Sequence, residues 1–432
     1  MDILIAAGLI VLLLVFLVGG VWIGLSLTAV GYLGMLAFTP RPPGDAMAVT
    51  IWGSGSSWTL TALPLFLWMG EILFRTRVSE DMFKGLAPWL ERLPGRLLHT
   101  NIIGCTIFAA VSGSSAATCA TIGKITLPEL QKRGYPDSLA LGTLAGAGTL
   151  GLLIPPSIIM IVYGVSAEVS IAKLFIGGVL PGLLLAGLFM GWVIVWALLN
   201  PGKIPPAGPR TTFLQKLDAS RNLIPVILLI AAVLGSIYFG IATATEAAAL
   251  GVVGSLIIAA FQKSLTRENF FASLMGATRL YCMIALILAG SAFLTLSMGY
   301  IGLPRHLAEW ISSLNLSPLA LLLALTLFYI VLGCFLDGIS MVVLTMAVLL
   351  PTVQAAGIDL VWFGIFVVIV VEMAQITPPV GFNLFVLQGM TGRQITEIAR
   401  YAIPYFVLMC LAVILIYTFP GIITWLPGKM IG

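Results

Sequence analysis

Apolar runs of membrane-crossing length follow one another along this chain, and in a few places polar, helix-breaking residues fall inside such a run. Residues 3 to 18 and 21 to 38 are two apolar segments hinged at Gly19-Gly20, because about 20 residues cross a bilayer and one pass cannot hold both. Arg41-Pro42-Pro43-Gly44 reads as a short loop, and a third apolar segment covers 60 to 74. Residues 78 to 98 are amphipathic and predict an interfacial helix or arm. Residues 100 to 111 and 116 to 128 are each too short to cross, and Ser112-Gly113-Ser114-Ser115 lies between them. That pattern predicts a re-entrant hairpin over 100–130. The run 138–166 is long enough to cross but is interrupted at Pro155-Pro156, which predicts a broken helix. A crossing at 172–199 follows, and the Pro/Gly-rich stretch from Asn200 opens a linker over 201–221.

The order then recurs. Apolar segments at 222–240 and 245–262 precede an amphipathic 264–279, a crossing at 281–298 and an arm near 304–315. A hairpin over 318–351, a broken helix over 360–390, a crossing at 396–419 and a tail at 421–432 complete the chain. A shift of 223 residues pairs Leu127-Pro128 with Leu350-Pro351, Gln131 with Gln354, Gly134 with Gly357, Pro155-Pro156 with Pro378-Pro379 and Pro181 with Pro404. The chain reads as a duplication, 1–200 and 222–420, each half with five crossings plus a hairpin. An odd number of crossings inverts the second half, so the expected fold is an all-α polytopic membrane protein of two inverted-topology repeats.

Composition agrees with this class: 60% of residues are hydrophobic and 9% charged, against about a quarter charged in soluble domains, and the mean hydropathy is +1.11. A net charge of +4 spread over 432 residues fits cytoplasmic loops and does not imply nucleic acid. With the N-terminus outside, all of the 21 cations except Arg41, Lys173, Arg305 and Lys429 fall inside, as the positive-inside rule requires. Cys105, Cys119, Cys282, Cys334 and Cys410 lie in apolar context without paired spacing and read as small hydrophobes. His99 and His306 are isolated, and the apolar N-terminus lacks a positive n-region, so it reads as a retained helix.

Polar backbone at membrane depth is tolerated only against protein or a wet cavity, so the hairpin tips and broken helices are the candidate site. Ser112, Ser115 and the carbonyls of Gly151 and Ile154, beside Pro155, have the oxygen chemistry of a cage for a hard monovalent cation. Gly333, the carbonyls of Ala374 and Val380, and the Thr377 hydroxyl form its counterpart. The competing reading is that these small residues only let helices pack closely. Ser114, Thr118, Asp337 and Asn383 are candidates for substrate contact. Asp337, Glu246 and Glu372 are the acids at membrane depth, where ionisable groups are functional by default; the two glutamates have an alternative as partners of the helix breaks. An intramembrane hydrolase using Ser114 or Ser115 with Lys124 is disfavoured, since the matching Phe335-Leu336-Asp337-Gly338 carries no nucleophile.

These residues resemble a known family, the large (M, or DctM-like) membrane subunit of tripartite ATP-independent periplasmic (TRAP) transporters. The resemblance spans essentially the whole chain and rests on Val111-Ser112-Gly113-Ser114-Ser115-Ala116-Ala117-Thr118, Gly151-Leu152-Leu153-Ile154-Pro155-Pro156-Ser157, Ala244-Thr245-Glu246-Ala247-Ala248-Ala249 and Ile376-Thr377-Pro378-Pro379-Val380-Gly381. It implies an elevator-like fold of the ion-transporter superfamily and sodium-coupled uptake of a small organic acid, carboxylate or sulfonate, across the bacterial inner membrane. It further implies Na+ at both cages, a small four-helix membrane subunit (Q type) and a periplasmic substrate-binding protein (P type). Ala374-Gln375 departs from the pattern, where a glycine is expected first; a carbonyl ligand survives that change. The alternative is a self-sufficient sodium- or proton-coupled organic anion symporter.

The charge distribution places Arg210 inside and Asp359 outside. Single cysteines at these positions, in a background without native cysteines, are expected to react with an impermeant thiol reagent in intact cells at 359 only. Labelling at 210 would sink the inverted topology.

Overall fold

The computed structural model describes residues 2–206, 211–302, 317–333, 336–379 and 381–430, and every regular element among them is helical. The first apolar run divides into α1 (Asp2–Val18) and α2 (Ile23–Phe38) at a turn where Gly20 takes a φ of +78°. The stretch expected as loop after Arg41 is instead a helix, α3 (Pro43–Gly55), with Pro at its start and Asp45 in its first turn. Both features favour helix initiation, because proline lacks only an N–H that has no partner there and the acid meets the positive end of the dipole. A 3-10 turn (Trp58–Thr61) leads into α4 (Ala62–Phe74), bent by 53° from α3, and the arm is α5 (Val78–Leu90).

The first hairpin is α6 (Leu98–Ser112) and α7 (Ser115–Lys132), and the first broken helix is α8 (Asp137–Gly148) with α9 (Leu150–Leu153), then α10 (Ile158–Ser166) after a 40° bend. Next comes α11 (Ile171–Leu199). The end of the linker is helical, α12 (Phe213–Ser220), and runs on into α13 (Ile224–Tyr238), which α14 (Ala244–Phe261) follows. The expected amphipathic piece and crossing over 264–298 are one helix of 35 residues, α15 (Arg267–Ile301). Nothing between Arg279 and Tyr281 breaks a helix, and Arg279 takes an exposed face. The second hairpin is α16 (Pro318–Leu332) and α17 (Gly338–Ala355), the second broken helix α18 (Leu360–Gln375) and α19 (Phe382–Thr391), and α20 (Ile395–Thr418) precedes the tail. The expected arm near 304–315 lies outside the described residues.

By length and composition, five described helices can cross a membrane, or up to eight spans if each bent pair counts as one. Two kinds of helix separate by burial. α13 and α14 expose Ile227, Leu228, Val253 and Ile257 on one side while burying Val233 and Ala248 on the other, as a helix between lipid and protein does. Residues 139–164 and 362–376 are buried at every position, so protein encloses the first broken helix through its break and the second up to Ile376, beyond which Pro378 and Pro379 are exposed.

α2 and α15 pack backbone to backbone. A Cβ at Gly24 would stand 2.7 Å from the Leu286 carbonyl oxygen, and Gly290 faces the Gly24 carbonyl in return. Small residues at such crossings are what bring helices together in a membrane. Gly24→Ala is therefore expected to cost about 1–3 kcal/mol by overpacking and to lower the unfolding temperature of the purified protein. Gly187→Ala, where nothing lies within 4 Å, serves as the control and should leave that temperature unchanged or slightly raised.

Candidate functional site

The tip of the first hairpin is built by two residues. Gly113 ends α6 in the left-handed region at φ +61°, its N–H bonding the Ala109 carbonyl at 3.1 Å. Ser114 then turns extended and caps α7, its hydroxyl accepting from the Ala117 N–H at 3.4 Å. The first break follows from the prolines. Residues 155 and 156 have no N–H, so the carbonyls of Gly151 and Leu152 lose their helical donors. In the same way Pro378 and Pro379 deprive the carbonyls of Ala374 and Gln375, although Ala374 recovers a tighter bond from the Thr377 N–H at 3.2 Å. Both Pro-Pro peptide bonds are cis.

Tip and break are in direct contact. A Cβ at Gly151 would lie 2.6 Å from both the Ser114 carbonyl oxygen and the Ser115 Cα, so only glycine admits this approach. The Ile158 N–H donates to the Gly113 carbonyl at 3.3 Å. Ser112 Oγ and Thr118 Oγ1 share a hydrogen bond of 2.7 Å. The Ser115 hydroxyl donates to Oε1 of Glu372, which stands in the last turn of α18. Ser112, Ser114, Ser115, Thr118 and Gly151 are thus brought together at one tip. Ile154 turns its side chain onto α11, where a Cβ at Gly182 would come within 2.7 Å of it, and Pro155 occupies the break.

The second hairpin reaches the same turn of α18. Gly333 lies so close to Ala374 that a Cβ there would collide with the alanine methyl, and one at Gly338 would meet Ile159 and Val371 at 2.8 Å and the Gln375 amide at 3.4 Å. Thr377 Oγ1 donates to the Met373 carbonyl at 2.7 Å and keeps its lone pairs. Gly333, Ala374 and Thr377 are therefore neighbours; Val380 lies outside the described residues. Asp337 is exposed and its carboxylate caps α17, accepting from the Ile339 and Ser340 N–H groups at 3.1 and 3.3 Å and from the Ser340 hydroxyl. Asn383 is fully buried with neither amide atom hydrogen-bonded, 3.3 Å from where a Cβ of Gly148 would stand and beside Cys119.

The candidate ligands placed at the two tips are oxygens, the set a hard cation takes, and Glu372 adds a buried carboxyl oxygen without a hydrogen-bond partner. The residues fit a sodium ion. They do not fit a serine hydrolase, because Lys124 is exposed and lies nine residues beyond Ser115 on the same helix, about 13 Å along its axis. Glu246 is accounted for by local structure: it forms a capping box with Thr243, accepting from that residue's N–H and hydroxyl at 2.8 Å each.

Two features escaped the sequence. Ser115 and Glu372 are 257 residues apart, and no spacing relates them. The other is a cavity of about 940 Å³ between α3, the end of α10, α15 and α17, lined by hydroxyls including Ser54, Ser166, Ser170, Ser291 and Thr295. Among the described residues its one charged lining residue is Glu168, and Met346 and Leu350 of α17 form part of its wall.

Comparison with known proteins gives a consistent assignment. The family described as "Tripartite ATP-independent periplasmic transporter, DctM component" matches residues 10–422. The C4-dicarboxylate TRAP transporter large permease protein DctM of Pseudomonas aeruginosa is 33% identical over 404 residues, 93% of this chain and 94% of that protein. The isethionate TRAP transporter permease protein DctMQ of Oleidesulfovibrio alaskensis is 34% identical over 411 residues, 94% of this chain and 63% of that longer protein. Among solved structures, the YdaH transporter of Alcanivorax borkumensis superposes with a TM-score of 0.63 over 88% of each chain at 12% identity, a likeness of fold. The chain belongs to the DctM family of TRAP transporters, and is an inner-membrane transport permease rather than an enzyme.

Proposed function

We infer that this permease takes up a small organic acid, carboxylate or sulfonate, coupled to sodium, by moving the two hairpins and two broken helices as a unit against the remaining helices. The observation that carries the reading is the convergence of both hairpin tips, with their all-oxygen donors, on the last turn of α18. A mobile unit of this kind is expected where inverted repeats place half-helices about a central site. The substrate class draws on relatives named for C4-dicarboxylate, isethionate and ectoine. An acid group suits α19, whose start at Gly381 has no side-chain cap, so its positive end is free for an anion. Asn383 follows in the first turn of that helix and would contribute its unpartnered amide, with Ser114, Thr118 and Asp337 at the facing tips. The hydroxyl-lined cavity is the approach from the outer side, since its walls come from segments that the charge pattern places there.

Two partners complete the machine: a small four-helix membrane subunit and a periplasmic substrate-binding protein. The DctMQ relative, longer than this chain, supports the first. The exposed rim of the cavity supports the second: α3 buries none of its residues, and Trp52 and Trp58 are 78% and 72% exposed. Aromatic residues left in the open are characteristic of docking surfaces.

Ser115→Ala and Thr377→Ala each remove one hydroxyl oxygen and little volume. The sodium concentration for half-maximal uptake should rise about tenfold in each, equivalent to about 1.4 kcal/mol, with protein levels unchanged. Unaltered sodium dependence in both variants would return these residues to a packing role. In proteoliposomes, the chain alone should transport little; adding both the small subunit and the binding protein should restore uptake. Robust sodium-dependent uptake by this polypeptide alone would instead support the self-sufficient symporter.

A further inference from the structure

Glu372 is fully buried in the last turn of α18. The Ser115 hydroxyl occupies Oε1, and Oε2 has no hydrogen-bond partner. The Leu152 N–H approaches the carboxylate without reaching Oε2 at hydrogen-bonding geometry. No ion pair among the described residues includes Glu372. The positive end of α7, whose first residue is Ser115, offsets part of the charge on the Oε1 side and leaves the other oxygen uncompensated. Buried charges in proteins are paired or coordinate metals. On the facing break, the prolines have removed the helical donors of the Gly151 and Leu152 carbonyls.

We propose that Glu372 is a direct ligand of the cation at the first hairpin tip, with Oε2 facing the ion and Oε1 holding Ser115 in place. This rests on the sodium reading and deepens it. A carboxylate balances the charge of one bound sodium, so the occupied site is neutral inside a low-dielectric core. Its position carries a second consequence: Glu372 stands two residues before Ala374, whose carbonyl belongs to the other cage. An ion bound through Glu372 fixes the turn that presents that carbonyl, so filling the first site prepares the second.

The test is sodium binding to the purified permease, read from tryptophan fluorescence and thermal unfolding against potassium as the control cation. Glu372→Gln keeps an oxygen for the Ser115 hydroxyl and removes the charge. The half-saturating sodium concentration should rise by at least the roughly 10–100-fold that losing a mere supporter of a metal ligand costs. An unchanged titration in the variant, with the wild type responding to sodium, overturns the role of Glu372 and leaves sodium coupling standing. A wild type that does not respond to sodium overturns both. If the glutamine variant does not fold, infrared difference spectra of the wild type, sodium minus potassium, decide the matter. A carboxylate band that shifts in Glu372→Asp is expected, and its absence from a sodium-binding wild type rejects the proposal.

Discussion

Four backbone N–H groups are missing from the middle of this molecule, at Pro155, Pro156, Pro378 and Pro379, and the architecture follows from where that can be tolerated. Each loss takes the helical donor from a carbonyl, and although Ala374 recovers a bond from Thr377, an unsatisfied carbonyl facing hydrocarbon costs several kcal/mol. The first break is surrounded by protein accordingly, with residues 139–164 buried without exception, whereas the second is enclosed only up to Ile376 and its prolines, Pro378 and Pro379, are exposed. The two hairpins press tip-first against these helices, and helices such as α13 and α14 bury one face and expose the other. The broken helices are thus both the weakest local structure and the reason for the tertiary one.

Much of this was legible in the chain because length and proline position act locally. The hairpin over 100–130 and the broken helix over 138–166 were set by two apolar runs too short to cross and by one interrupted run, and they appear as α6–α7 and α8–α10. Where the reading failed, competing local signals misled it. Arg41-Pro42-Pro43-Gly44 looked like a turn, yet proline at a first helical position and Asp45 after it start a helix as well as they end one. The change from the amphipathic stretch 264–279 to the apolar run 281–298 does not end α15 either, since Arg279 takes an exposed face and no helix breaker stands between them.

The two membrane-depth glutamates divide along the same line. Thr243-Ala244-Thr245-Glu246 is a capping box in sequence, and the structure has that box. Glu372 has no local pattern to betray it: its partner Ser115 comes from the other half of the chain, and only the tertiary fold joins them. An isolated buried carboxylate is idealised at a cost on the order of 20 kcal/mol, and several kcal/mol after relaxation. A position so costly is retained only where a compensating charge or a proton is available, so this residue is where the fold commits itself to a purpose.

Contacts inside the central unit differ in kind from those at its edge. Within it, Ser115 and Glu372 join a hairpin to a broken helix by a buried hydrogen bond, and Gly333 and Gly338 seat the other tip against Ala374 and Val371. At its boundary with α4 the contact is backbone against glycine: a Cβ at Gly70 would stand 3.1 Å from the Ser112 carbonyl oxygen and 3.3 Å from that of Val111. No side-chain hydrogen bond or ion pair among the described residues joins α4 to α6, whereas parting the tips from α18 would break the hydrogen bond between the buried Ser115 and Glu372 side chains. That contrast fits the proposed movement of the hairpins and broken helices as one unit, with α4 on the far side of its boundary.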